Sequence, residues 1–459
     1  MKLFFRPTIL SILLLAMSGT LSAQLDPNIN LVGTWSKDSL PSTVLYNNTY
    51  NEVWGFKQGT REYAVIGSTQ GTHFIDVTDT SDLREVDFVQ GALFGYRVIH
   101  RDYHDYKGYL YMVCGEGNST MQIVDLQYLP DSVHLVYDSD EFINIAHNIF
   151  IDSSSARLYA MAVYSEKTFN RTAGVRILSL ENPQKPRFLG DYVTQSDCHD
   201  AFVRNDTVYL NMATEGLKVF DFANPEAPKE LDHLFFYPGI GYNHSGWLNE
   251  EGTVYAFADE TPTSPVKICD ASALPDIKVL STVKAPPDSS MVHNLIIKGN
   301  LMYVSYYNEG LYVYDISDPK QPRRYAYYDT YLDSNCRSFC GAWGVYPLLP
   351  SGKILVSDMQ TGLYVFEPKP IKDSVNRGPI KVKLGPNPVA NGFTVFIEGD
   401  SNLKIRLKLY NILGQVVMQT PTMFRTTLVQ RGKLSPGTYI YQIFLDGKPT
   451  PMQGKLIFE

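Results

Sequence analysis

The stretch His293–Pro322, HNLIIKGNLMYVSYYNEGLYVYDISDPKQP, aligns without a gap with His199–Pro228, HDAFVRNDTVYLNMATEGLKVFDFANPEAP. Both keep His, Tyr, Glu-Gly-Leu, Val, Asp and two prolines at the same offsets. Alternation of apolar and polar residues in LIIKGNLMYVSYY reads as short antiparallel strands, and the Asp/Asn-Pro stretches end one strand and turn the chain toward the next. Related segments begin near Glu52, His100, His147, His199, His244, His293 and Cys340, making seven units. Successive histidines from His100 to His293 are spaced by 47, 52, 45 and 49 residues, a period that suits one four-stranded propeller blade.

The seventh unit ends at Pro368 without a fourth strand, while LVGTWSK (Leu31–Lys37) stands alone near the start and reads like a fourth strand. The sequence therefore predicts an all-β chain: a seven-bladed propeller over 24–368, closed by its N-terminal strand. Closure removes exposed sheet edges. Residues 369–379 read as a linker, and 380–459 as a small C-terminal β-sandwich with Gly and Pro turns. Residues 1–23 have a basic start, a short apolar run and small residues before Gln24, the pattern of an export signal. No stretch is apolar for long enough to predict a transmembrane span.

Composition narrows the classes of function. The formal charge is −8, and loss of Lys2 and Arg6 with the signal makes it −10. An acidic chain without a basic stripe argues against nucleic-acid binding. Neither a G-x-S-x-G elbow, a phosphate-binding glycine loop, an H-E-x-x-H helix nor a C-x-x-C pair occurs. Five cysteines in an exported chain permit disulfides, with Cys336 and Cys340 the expected pair and Cys114 and Cys269 expected as buried thiols.

Several stretches carry a resemblance: GTHFIDVTD, RDYHDYKGYLYMV, HSGWLNEEG, HNLIIKGNLMYVS and GAWGVYPLLPSGKILVSDMQTGLYVF. Over about residues 30–368 they are similar to the choice-of-anchor B family, exported propellers built from LVIVD-type repeats. That resemblance implies the fold and export, and no settled activity. IHRD departs from it, having His100 where the family pattern has Trp. The segments LGPNPVANGFTVFIE, IRLKLYNILGQVV and LSPGTYIYQIFLDGK resemble the type IX secretion sorting domain of certain Gram-negative bacteria. This implies the type IX machinery as a partner and a destination at the cell surface or outside the cell.

Chemistry is sought in the ring. His100 and Glu116, His199 and Glu215, His244 and Glu260, and His293 and Glu309 are each sixteen residues apart, while His147 lacks a Glu at that offset. In a propeller the start of the first strand and the end of the second emerge on one face, so these pairs are expected at one mouth of the channel, with Asp102, Asp200 and Asp259 nearby. Imidazole and carboxylate are ligands for divalent transition metals, and His100, His147, His199, His244 and His293 are the candidates. Trp54, Trp247 and Trp343, with Tyr164, Tyr306 and Tyr307, are candidates to stack on a sugar or peptide. Blade-building alone also explains much of the recurrence, since repeats inherit the residues that make each unit. The expected function is a secreted surface module binding a glycan, peptide or protein at this face, with a metal-dependent hydrolase as the alternative.

Overall fold

The computed structural model describes residues 28–165, 170–194, 196–287, 289–332, 339–369, 381–385, 387–398, 405–420, 426–445 and 448–459. The expected export signal, most of the linker and Cys336 lie outside the described residues.

Every regular element described is a strand. Six antiparallel sheets follow one another with four strands each in sequence order, over 50–90, 101–139, 148–192, 200–234, 243–283 and 292–328. The seventh takes three strands from 342–368 and its fourth from the start of the chain: Ile29–Trp35 pairs antiparallel with Gly362–Pro368, from Ile29 opposite Pro368 to Trp35 opposite Leu363. The first strand of each sheet packs beside that of the next, and Ala342–Tyr346 of the seventh lies against Tyr50–Gln58 of the first. The sheets are numbered below as blades 1 to 7 in this order, giving a propeller-like arrangement.

The repeated residues have local reasons. The Asp that ends the third strand accepts a hydrogen bond from the backbone N–H two residues on: Thr78 to Asp76 (2.9 Å), Gln127 to Asp125 (2.9 Å), Ala223 to Asp221 (2.8 Å) and Ser317 to Asp315 (2.9 Å). This is the side-chain turn that Asp offers the backbone. In Glu-Gly-Leu the glycine turns the second strand into the third with φ of +75° at Gly216 and +78° at Gly310. A Cβ at Gly310 would stand 2.3 Å from the Tyr328 carbonyl oxygen, so the outer strand also closes the space.

Between blades the core is apolar: Ala256, Ile268, Leu295, Val304 and Tyr312 form one cluster across blades 5 and 6. In the tail, a three-stranded sheet and a four-stranded sheet share a core that includes Phe393, Val395, Leu407, Leu409, Ile443 and Phe458. Among the described residues no helix is long and apolar enough to cross a membrane.

Candidate functional site at the blade axis

Each inner strand begins at the axis, and its first side chains converge there. Five imidazoles and one indole make a circuit of ring contacts: His100–His147 at 4.2 Å between centroids, His147–His199 and His199–His244 at 4.0 Å, His244–His293 at 4.5 Å, His293–Trp343 at 4.3 Å and Trp343–His100 at 5.6 Å. The five histidines expected at one mouth are therefore together. Their nitrogens are used unequally. His199 Nδ1 donates to the His244 carbonyl oxygen at 3.2 Å and His293 Nδ1 to that of Trp343 at 2.8 Å, whereas Nδ1 of His100 and of His244 is buried without a hydrogen-bond partner.

Burial disfavours the imidazolium and holds all five below the usual histidine range, His147 at about 4 and His293 at about 3. Neighbouring imidazoles add to this for His100, His199 and His244. At neutral pH the circuit is thus uncharged, and any ring nitrogen without its proton can ligate.

The four carboxylates spaced sixteen residues on behave differently from one another. Glu260 Oε2 lies 3.8 Å from His244 Nε2, the one of these pairs at ion-pair distance among the described residues. Tyr307 donates to Glu260 Oε1 at 2.5 Å. Glu116 instead accepts the backbone N–H groups of Ile99 and His100, each at 3.1 Å, while Glu215 is drawn outward to Lys218 at 2.5 Å. Glu309 is half-buried, and its Oε2 has no hydrogen-bond partner. Spacing brought the backbones together, but Glu116, Glu215 and Glu260 each turned to a different donor. Asp259 is fully buried in an ion pair with Lys267 at 2.8 Å.

One step further along the inner strands is a cavity of about 60 Å³ lined by Glu52, Asp102, Asp200, Asn148, Ser245 and Asn294, among others. Asp102 accepts the Ile149 N–H at 2.7 Å, and Glu52 accepts from Val53 N–H at 2.9 Å and the Asn294 amide at 2.7 Å. Desolvation raises Asp102 to about 7 and lifts Glu52 and Asp200 well above the carboxylate range, with repulsion from Asp102 adding to the last two.

Beyond the carboxylates comes an aromatic layer. His104 lies 4.6 Å from Trp54 and 5.1 Å from Phe150, and Phe202 lies 5.1 Å from Phe150 and 5.0 Å from Trp247. The three tryptophans are placed differently, with Trp54 and Trp247 also lining the cavity. Trp343 belongs to the histidine circuit, but Trp54 and Trp247 pack in this deeper layer, and Trp54 Nε1 donates to Asp105 at 2.8 Å. They stand three residues after the position that Trp343 shares with the histidines, roughly 10 Å along a strand.

At the histidine end an open depression of about 180 Å³ is lined by Gly115, His147, Tyr164, Asp197, His199 and Tyr242, with Tyr164 donating to Asp197 at 2.9 Å. Tyr242 and Glu52 were missed in the sequence; Glu52 was legible, since NEVW sits at the same blade start as HDAF and HSGW. Cys340 is disulfide-bonded, Cys336 lies outside the described residues, Cys114 and Cys269 are free and buried, and Cys198 is buried.

Residues 290–330, which hold blade 6, match the LVIVD repeat, and residues 383–459 match the secretion system C-terminal sorting domain. The chain thus carries LVIVD-type repeats and a tail that directs type IX secretion to the cell surface or the extracellular space. No curated protein matches it. A solved structure entitled "Structure of U3-55K" is similar in fold, with a TM-score of 0.52 at 8% identity over 74% of this chain and 98% of the other.

Proposed function

We propose that this LVIVD-repeat chain is a seven-bladed propeller, closed by Ile29–Trp35 and followed by a β-sandwich sorting domain, that binds an extracellular ligand at the histidine-bearing end of its axis. The ligand is a glycan, peptide or protein segment. The carrying observation is the open depression in which Tyr164, Tyr242 and Asp197 surround His147 and His199. Aromatic faces beside a carboxylate and neutral imidazoles offer stacking and hydrogen bonding together, which is the chemistry of a polar ligand site. Exposed Phe94, Tyr96, Phe236 and Ile240 stand in the loops that lead into blades 2 and 5 at this end and extend the surface a protein segment would cover.

The reading is tested by exposing the full chain to glycan and peptide arrays. Tyr164→Ala and Tyr242→Ala are expected to abolish array binding, while Ile412→Ser, on the exposed surface of the tail, leaves it intact. Binding that survives both tyrosine changes and disappears with Ile412→Ser would move the working surface to the tail. Hydrolysis at a bound metal is the second reading, favoured by the mixed donor set His199, His244 and Glu260. Turnover of chromogenic esters that is lost in Glu260→Gln would establish it.

A further inference from the structure

Among the described residues, two of the five imidazoles, His199 and His244, stand together with a carboxylate, Glu260, as a set of possible ligand atoms. His199 commits Nδ1–H to the His244 carbonyl oxygen, which fixes the tautomer and leaves the Nε2 lone pair bare. His244 is 3% exposed, has no hydrogen bond at Nδ1, and turns Nε2 toward Glu260 Oε2 at 3.8 Å, beyond hydrogen-bond reach. A buried imidazole left in this way lacks the partner that such groups ordinarily have. One ligand atom from each of His199, His244 and Glu260 lies within 4.8 Å of the others, and no second group of this kind occurs among the described residues.

We propose that His199, His244 and Glu260 hold one divalent transition metal of the zinc class. A tetrahedral ion with bonds of about 2.1 Å keeps its ligand atoms about 3.4 Å apart, so side-chain shifts of under about 1 Å close the site. Two imidazoles and one carboxylate select zinc, cobalt, nickel, manganese or iron over calcium and magnesium, which take all-oxygen sets. Tyr307 is the positioning residue: its hydroxyl holds Glu260 Oε1 and so presents Oε2 to His244. Three protein ligands leave one coordination position for water or for a donor atom of a ligand entering the depression that His199 lines. This deepens the proposed function and rests on the histidine-bearing end being the working surface.

The test strips the full chain with a chelator and titrates it with Co²⁺, following visible absorption and heat. One equivalent is expected, with the absorption of low-coordinate Co²⁺, displaced by Zn²⁺. His199→Gln and Glu260→Gln are expected to weaken Co²⁺ by at least about 100-fold, and Tyr307→Phe by about tenfold in a chain whose circular dichroism shows it folded. The exposed His134, on the outer strand of blade 2, serves as control, and His134→Gln keeps full affinity. Glu260→Gln retains an acceptor for Tyr307, and its circular dichroism confirms folding. Absence of stoichiometric uptake by the folded chain, or unchanged affinity in folded Glu260→Gln, overturns the metal site. Array binding that persists in a chain taking up no cobalt overturns the metal and leaves the surface reading standing. Cobalt uptake without tyrosine-dependent array binding supports the metal and removes the surface reading.

Discussion

His293 Nδ1 donates to the backbone carbonyl oxygen of Trp343 at 2.8 Å, so one imidazole ties blade 6 to the inner strand of blade 7. The same carbonyl also accepts from Ser305 at 2.6 Å. His293→Ala therefore removes one of two bonds to that oxygen together with the ring contacts to His244 and Trp343. The expected cost is about 1–3 kcal/mol, read as a lower midpoint in urea. An unchanged midpoint would mean that the circuit contributes nothing to holding adjacent blades.

Glu116 serves the backbone rather than an imidazole. Glu116→Ala leaves the N–H groups of Ile99 and His100 without their acceptor, at an expected cost of about 2–5 kcal/mol, whereas Glu116→Gln keeps an acceptor oxygen and loses less. Hydrogen exchange checks this directly. The amides of Ile99 and His100 should lose protection in the Ala variant and keep most of it in the Gln variant.

The buried carboxyl of Asp102 gives a pH dependence with a definite sign. Burial raises its folded pKa to about 7 from 3.8, so the folded state binds the proton more tightly than the unfolded chain. Stability from this group is full below about pH 4 and is lost as pH rises from there toward 7. Asp102→Asn should therefore raise the melting temperature at pH 8 and change it little at pH 4. The gain is on the order of a few kcal/mol, since one pKa unit is worth about 1.4 kcal/mol. A gain of equal size at both pH values would rule out the ionisation as its cause.

Removal of 28–36 tests how blade 7 is completed. The edge of Gly362–Pro368, with Leu363, Val365 and Phe366 in its core, would lose its partner strand. An unpaired edge templates association between chains. The truncated chain is expected to melt earlier and to elute as oligomers by size exclusion with light scattering. A truncated chain that stays monomeric with an unchanged melting temperature would show that the pairing contributes little.

The sequence by itself determined the blades and their order. Alternation, the Asp-Pro turns and the period of the histidines are local signals, and each blade is built from contiguous strands, so pattern and pairing coincide. It also identified the five imidazoles, because a repeated strand start must return to the same place about the axis. The tertiary structure alone decided which of them work together. Glu116, Glu215 and Glu260 share one offset, yet one binds backbone, one binds Lys218 and one faces His244. Trp343 joins the histidines while Trp54 and Trp247 pack beyond the carboxylates. The physical reason is that repeat spacing fixes where a backbone arrives. A side chain's final direction depends on which donor reaches it, from Lys218 three residues along for Glu215 to Tyr307 of the next blade for Glu260, and the shared offset does not encode that choice.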